Sequence, residues 1–165
     1  MHETDDDLIW LQDLLDRSHA GAGEHLRAIF DDERRIPAGE LPALLPGVQV
    51  LALATVTARG EPRVAPVDGL FFRGRFHFGS SDRSARFRHI RARPAVSATH
   101  LRGEELAIVV HGRAVEFNPR APEHAAFRAY LNETYPGWDD ADWAAGAPYA
   151  RIEPSAMFTF RARAA

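Results

Sequence analysis

Hydroxyl and guanidinium groups cluster in the middle of the chain, directly after a segment that alternates like a β-strand. Serine hydroxyls and unpaired backbone N–H groups at the start of a helix attract anions, phosphate above all. Arg63, on the preceding predicted strand, can close on the same anion. The spacing therefore predicts a phosphate site whose other members follow residues 75–79: Ser80, Ser81, Ser84 and Arg86.

The charge distribution points to the same region. Residues 1–47 hold 11 acidic and 4 basic side chains. Residues 48–93 hold 3 acidic and 9 basic side chains, whereas residues 94–165 hold 9 acidic and 7 basic ones. All 20 basic residues are arginine, which excludes a lysine Schiff base and a lysine-dependent phosphate loop. A solvated arginine-rich surface is the competing explanation. Nucleic acid is not the expected partner, because the isoelectric point is about 6.2 and nucleic-acid-binding domains are usually basic.

Length and composition narrow the class of protein. A chain of 165 residues with 45% hydrophobic and 26% charged residues is typical of one globular domain. The absence of cysteine excludes a disulfide scaffold, thiolate chemistry and iron–sulfur clusters. No apolar run approaches the roughly 18 residues that a membrane helix needs, and the acidic N-terminus is unlike a secretory signal. We therefore expect a cytoplasmic protein with no membrane partner.

Helical patterns come first along the chain. Thr4 followed by Asp7 is typical of a helix N-cap, and leucines continue at helical spacing behind it. Helices are predicted over residues 5–18, 24–30 and 38–45. Residues 1–47 are thus expected to form an acidic N-terminal helical arm.

From residue 48 onwards the pattern changes to strands. Strands are predicted over residues 48–56, 62–72, 75–79, 95–101, 106–117 and 149–160. A short helix is expected to begin at the capping side chains of residues 80–82 and to end near residue 91, and Pro122 opens another. Pro66 inside a strand indicates an edge or a bulge. Six strands joined mostly by short turns favour a mainly β (α+β) fold, a closed antiparallel barrel over residues 48–165 with flanking helices.

The whole run resembles a known family. The segments that carry the likeness are Ala54-Thr55-Val56, Gly60-Glu61-Pro62-Arg63-Val64-Ala65-Pro66-Val67, Phe76-His77-Phe78-Gly79-Ser80-Ser81, Ser84-Ala85-Arg86 and Ile90 to Ser97. They resemble the pyridoxamine 5′-phosphate oxidase-like family, the split β-barrel flavin and deazaflavin oxidoreductases. The likeness covers roughly residues 48–117, with a weaker one near residues 150–160. It implies a homodimer of six-stranded split barrels with two cofactor sites in the clefts between subunits.

The resemblance also implies roles for individual residues. Arg63 matches the strand arginine near the cofactor phosphate, and Ser80 matches the hydroxyl after the third strand. Ser84 matches the helix serine, and Arg86 takes the place of a phosphate-binding lysine, which keeps the charge. The strand whose backbone edges the isoalloxazine ring corresponds to Val64, Ala65, Pro66 and Val67.

Two departures from the family pattern limit what can be carried over. Asp68 stands where the oxidase tends to have a basic residue beside the ring, and its charge would disfavour an anionic reduced flavin. The ending after Phe158 has no counterpart of the arginine-containing segment that completes the pyridoxine phosphate pocket. Oxidation of pyridoxine phosphate is therefore not the expected reaction.

The sequence supports a flavin-dependent oxidoreductase that moves hydride to or from a small, planar substrate. FMN is the expected cofactor, coenzyme F420 is the first alternative, and a non-catalytic flavin- or haem-binding protein is the alternative of another class. No residue is assigned as catalytic. The regular intervals between His77, His89, His100 and His111 are attributed to chance, so no metal site is expected. Trp138 and Trp143 can either wall a planar ligand or serve in packing.

Overall fold

The fold comes from a computed structural model of the chain, which describes residues 2–163. Three helices precede the first strand: α1 (Asp5–Ala20), α2 (Glu24–Ile29) and α3 (Leu41–Leu44), the last preceded by a 3₁₀ turn at Ala38–Glu40. The predicted cap of α1 is confirmed as a reciprocal pair. The Asp7 N–H donates to the Thr4 hydroxyl at 3.2 Å, and the Thr4 N–H donates to the Asp7 carboxylate at 2.9 Å.

Six antiparallel strands form a closed barrel, as the pattern predicts. They are β1 (Val48–Val56), β2 (Pro62–Phe72), β3 (Arg75–Gly79), β4 (Ala95–Arg102), β5 (Leu106–Phe117) and β6 (Tyr149–Arg161). Their order around the barrel is β1-β2-β3-β6-β5-β4. Arg73 and Gly74 connect β2 to β3, and both have positive φ angles, which match a tight hairpin turn. Two further helices, α4 (Ala85–Ala92) and α5 (Ala125–Thr134), lie outside the strands.

The first half of β2 is an edge. It pairs with β1 along its length, but β3 reaches only Gly69–Phe72 on the other side. Pro66, which has no N–H to donate, lies in this half, opposite Ala52 of β1. The prediction that Pro66 marks an edge is confirmed, and the backbone of residues 62–68 is open to other partners on the side that β3 does not reach.

The helices before β1 share one hydrophobic core with the barrel. Leu11, Leu14 and Leu15 of α1 are buried together with Leu51, Phe76 and Ile108 of the strands. A second buried cluster lies outside the barrel wall, where α5 and the 3₁₀ turn at Trp138–Asp140 cover β2 and the start of β6. No helix among residues 2–163 is both long enough and apolar enough to cross a bilayer.

Candidate functional site

The helix after β3 begins later than the sequence predicts. Ser84 is the N-cap of α4, and its hydroxyl accepts the Phe87 N–H at 3.2 Å. The expected cap within residues 80–82 is wrong. The Ser80 N–H instead donates to the Pro148 carbonyl at 3.2 Å, and the Ser81 carbonyl accepts the Ser84 N–H at 2.9 Å. The segment is therefore held across to the chain before β6 and turns once before the helix starts.

A cavity of about 600 Å³ lies between β2, the loop after β3 and α4. We call it the arginine cavity. Six of the nine residues predicted for the cofactor site line it: Arg63, Val64, Ala65, Ser80, Ser84 and Arg86. The structure thus brings together the charged and hydroxyl groups of the predicted phosphate site, with the exception of Ser81.

The other three predicted residues lie elsewhere. Val67 points into the barrel and is buried in its core. Pro66 does not line the cavity, but its carbonyl accepts a hydrogen bond from Arg86 Nη2 at 2.8 Å. Ser81 lies on the far side of Ser80, where it lines a different cavity and accepts the Arg83 N–H at 3.3 Å.

Arg86 is held in place by the protein itself. Its Nη1 lies 3.4 Å from the Ser80 hydroxyl, while its Nη2 is bound to the Pro66 carbonyl. Partial burial lowers the pKa of Arg86, but a guanidinium in a protein remains protonated. A fixed positive charge therefore stands in the wall of the arginine cavity.

Arg63 has a different environment. Its Nη2 lies 2.7 Å from the Glu61 carboxylate, and its Nη1 donates to the Pro62 carbonyl at 3.1 Å. The side chain is exposed, so this ion pair is screened by water. Glu61 nevertheless offsets part of the positive charge that Arg63 brings to the cavity.

Three polar residues of the arginine cavity, Thr55, Thr57 and His89, were missed by sequence reasoning. Thr55 of β1 is buried, and its hydroxyl lies 2.9 Å from Nδ1 of His89. Both side chains line the cavity, so this hydrogen bond sets the orientation of the imidazole there. The signal for His89 was its spacing, since residues three apart on a helix share a face and His89 follows Arg86 by three.

A second cavity, of about 350 Å³, adjoins the first at Ser80. We call it the aromatic cavity. Its larger side chains are Asp68, Leu70, Phe78, Tyr135, Trp143 and Tyr149, and Gly79, Ser80, Ser81 and Ala147 complete it. Asp68 is the one charged side chain among these lining residues.

The walls of the aromatic cavity are held by packing. The Trp138 indole N–H donates to the Tyr149 hydroxyl at 3.0 Å, and Trp138 is buried. A Cβ on Gly79 would lie 2.8 Å from the Tyr149 ring, so only glycine lets this ring pack there. Trp138 thus serves in packing, whereas Trp143 is 63% exposed and lines the cavity. Burial, followed by the charge of Asp68, raises the pKa of Tyr135 to about 12.

The four regularly spaced histidines lie apart, on β3, α4, β4 and β5. No group of three or more His, Cys, Asp or Glu side chains in the described part of the chain could hold a metal ion. His111 is exposed, and its ring lies 2.8 Å from the Ser97 hydroxyl. His77 is buried and stacked on Phe127, and burial lowers its pKa to about 3.

Comparison with known proteins found a matching family model and solved structures with the same fold. A family model described as pyridoxamine 5′-phosphate oxidase matches residues 38–163. Solved structures with the same fold include a FAD-binding protein from Mesorhizobium loti, at 23% identity over 79% of this chain and 98% of that one with a TM-score of 0.59. A haem storage protein from Vibrio cholerae matches at 16% identity over 74% and 93% with a TM-score of 0.60. An F420 reductase matches at 22% identity over 70% and 94% with a TM-score of 0.54. Among curated proteins, no sequence matches this chain.

Proposed function

Because the chain belongs to the pyridoxamine 5′-phosphate oxidase family, we propose that it binds a phosphorylated flavin, FMN in the first instance, and exchanges hydride with a small substrate. The observation that carries the proposal is the arginine cavity, in which two guanidinium groups and two serine hydroxyls converge. These groups come from three separate parts of the chain, β2, the loop after β3 and the cap of α4. Their convergence fits one anionic group bound between them.

The donor set fits a terminal phosphate in number and in charge. Arg86 is already oriented by Ser80 and Pro66, so little side-chain freedom is lost when an anion binds. Each hydrogen bond to a charged group contributes about 1.5 to 3 kcal/mol, and micromolar binding requires about 8 kcal/mol. Two arginines and two hydroxyls can supply much of that amount.

The open edge of β2 fits the ring system of the same cofactor. Residues 64–67 continue from Arg63 along the half of β2 that β3 leaves unpaired. Backbone N–H and C=O groups at such an edge can bond to the polar rim of a flat ligand. When bound, the flavin supplies the hydride chemistry, and the protein supplies orientation and exclusion of water.

The second subunit is part of the proposal. An exposed apolar patch lies on the outer faces of β1, β2 and β4, and Val50, Val64 and Leu101 are its most exposed members at 60%, 67% and 59%. Val64 also lines the arginine cavity, so a partner seated on this patch would border the cofactor. We propose that the chain forms a homodimer through this surface, the apolar patch, whose members are Val48, Val50, Ala52, Val64, Pro66 and Leu101.

Absorption spectroscopy on the purified protein tests the proposal. The protein is titrated separately with FMN, coenzyme F420 and haem, and bound flavin is then reduced and exposed to candidate acceptors. We expect FMN to bind at one per chain with a perturbed flavin spectrum, and to be reoxidised faster than free FMN by a true substrate. A response to F420 alone would make the protein a deazaflavin reductase. A Soret band with no response to flavin would make it a haem-binding protein, and tight FMN binding without accelerated reoxidation would make it a non-catalytic flavin carrier.

A further inference from the structure

The aromatic cavity continues the arginine cavity along β2. Arg63, Val64 and Ala65 line the first cavity, Asp68 and Leu70 line the second, and Ser80 borders both. At about 3.3 Å per strand residue, Asp68 lies roughly 10 Å beyond Ala65. A ligand anchored at Arg86 and extended along this edge therefore ends beside the aromatic cavity. The aromatic cavity therefore lies where a molecule that reacts with such a ligand would bind.

The shape of the aromatic cavity suits a flat ring. Tyr135 and Trp143 stand edge to face, with ring centroids 5.8 Å apart and an angle of 77° between the planes. Tyr149 lies on another wall, where its hydroxyl is already occupied by Trp138. Aromatic faces and edges of this kind pack against planar ligands at centroid distances of about 4.5 to 7 Å. A volume of about 350 Å³ accommodates one or two fused rings.

The charge on the wall of the aromatic cavity determines which charge a bound flat ring should carry. Asp68 is its one charged lining side chain, and within residues 2–163 this carboxylate forms no ion pair. Arg86 lines the neighbouring arginine cavity, where it is bonded to Ser80 and Pro66. Organic cations are attracted both by a carboxylate and by the faces of tryptophan and tyrosine. Anions gain neither interaction and are repelled by Asp68.

We propose that the aromatic cavity is the substrate pocket and that it takes a planar organic cation in preference to a planar anion. The proposal rests on the function proposed above, because it identifies the reaction partner of the bound flavin. It separates this protein from enzymes that act on phosphorylated or carboxylated rings. Asp68 determines the sign of the preferred charge, and Trp143 supplies the aromatic surface that a flat molecule covers.

Three probes of one size and shape test the charge preference: benzamidine, benzamide and benzoate. Each is titrated calorimetrically into FMN-loaded protein and into protein without FMN. We expect benzamidine to bind up to about fivefold more tightly than benzamide, the ratio that corresponds to an exposed ion pair of up to about 1 kcal/mol, and benzoate to bind most weakly. The preference should shrink at high salt, because the Debye length falls to about 3 Å at 1 M. Equal affinities for benzamidine and benzoate would overturn the proposal, as would the absence of binding by all three.

Single-residue variants test which side chain causes the preference for a cation. Asp68→Asn removes the charge while keeping the shape, so benzamidine should fall to the affinity of benzamide. Trp143→Ala should weaken benzamidine and benzamide together. Asp142→Asn is the matched control, because Asp142 is an exposed carboxylate next to Trp143 in the chain but not in the wall of the cavity. A preference that survives Asp68→Asn, or that is lost in Asp142→Asn, would contradict the assignment.

The absorption spectrum of bound FMN distinguishes a failure of the pocket assignment from a failure of the proposed function. If the cavity is the substrate pocket, benzamidine should shift the absorption of FMN bound to the protein and leave free FMN unchanged. FMN binding without any cation preference, or cation binding that leaves the bound flavin spectrum unchanged, would overturn the pocket assignment alone. Cation preference in a protein that binds no flavin would overturn the proposed function instead.

Discussion

Nη1 of Arg86 lies 3.4 Å from the hydroxyl of Ser80, and Ser80 is the residue at which the arginine and aromatic cavities meet. The same guanidinium is bonded to the Pro66 carbonyl on β2. A residue on a helix is thereby joined to the open edge of a strand and to the loop after β3. The cation is in position before any anion binds, which lowers the entropy cost of binding.

Arg86→Ala should weaken FMN binding strongly. The loss of a charge-assisted contact costs about 1.5 to 3 kcal/mol, or roughly 10- to 150-fold in the dissociation constant. Flavin fluorescence quenching measures the affinity. Arg88→Ala is the matched control, since Arg88 lies on the same helix and is exposed, and its side chain bonds only to the Arg83 carbonyl among described residues. Equal losses in both variants would show that general charge, and not the Arg86 contact, holds the phosphate.

Glu61→Gln should strengthen FMN binding. The Glu61 carboxylate lies 2.7 Å from Arg63 and competes with an incoming phosphate for that guanidinium. Because the pair is exposed, the expected gain is modest, about 0.2 to 1 kcal/mol, or up to about fivefold. For the same reason Arg63→Ala should cost less than Arg86→Ala. Glu104→Gln, an exposed carboxylate in the turn between β4 and β5, should leave the affinity unchanged, and weaker binding by Glu61→Gln would refute the competition.

The stability of the protein should fall as the pH drops below about 6.5, through His77. Burial lowers the pKa of His77 to about 3, whereas an unfolded histidine titrates near about 6.5. Between these values the unfolded state binds a proton that the folded state does not, so protonation favours unfolding. The stabilisation is complete above about pH 6.5, and about 1.5 to 2 kcal/mol of it is lost by pH 5.

Urea unfolding at several pH values between 5 and 7.5 checks this pH dependence. His77→Phe keeps an aromatic ring against Phe127 and should flatten the acid side of the profile. His25→Asn changes an exposed histidine of α2 and should leave the profile as it is. An unchanged slope in His77→Phe would mean that other groups govern the acid sensitivity.

Charge on the apolar patch should separate the proposed dimer. Val50 and Leu101 are exposed apolar side chains on β1 and β4. Val50→Asp or Leu101→Asp would therefore bury a carboxylate in the interface. A buried carboxylate without a partner costs several kcal/mol. Light scattering should give the mass of two chains for the unchanged protein and of one for each variant. Ile9→Asp is the control, because Ile9 is 61% exposed on α1 and lies outside the patch. A monomer at all concentrations in the unchanged protein would contradict the proposal.

Local patterns in the sequence were sufficient to predict most of the elements. The bounds of β1, β2, β3 and β5 follow from runs of β-branched and apolar residues and from the turn at Arg73 and Gly74. These features act over a few residues, so they need no knowledge of distant parts of the chain. The start of α4 was mispredicted because Ser80, Ser81 and Asp82 are all good capping residues. In the structure Ser80 is instead bonded to Pro148, far along the chain, and Ser84 caps the helix.

What the sequence by itself determined is the inventory of the arginine cavity: the arginines, the serines and the strand that carries Val64 and Ala65 all stand within one stretch of chain. Only the tertiary structure decided that Thr55 would orient His89 and that Asp68 would face Tyr135 and Trp143 across a second cavity. Those relationships join residues on different elements. They depend on how the barrel closes and how the segment before β6 folds over it, and the pairing of distant segments is not encoded in the periodicity of either segment alone.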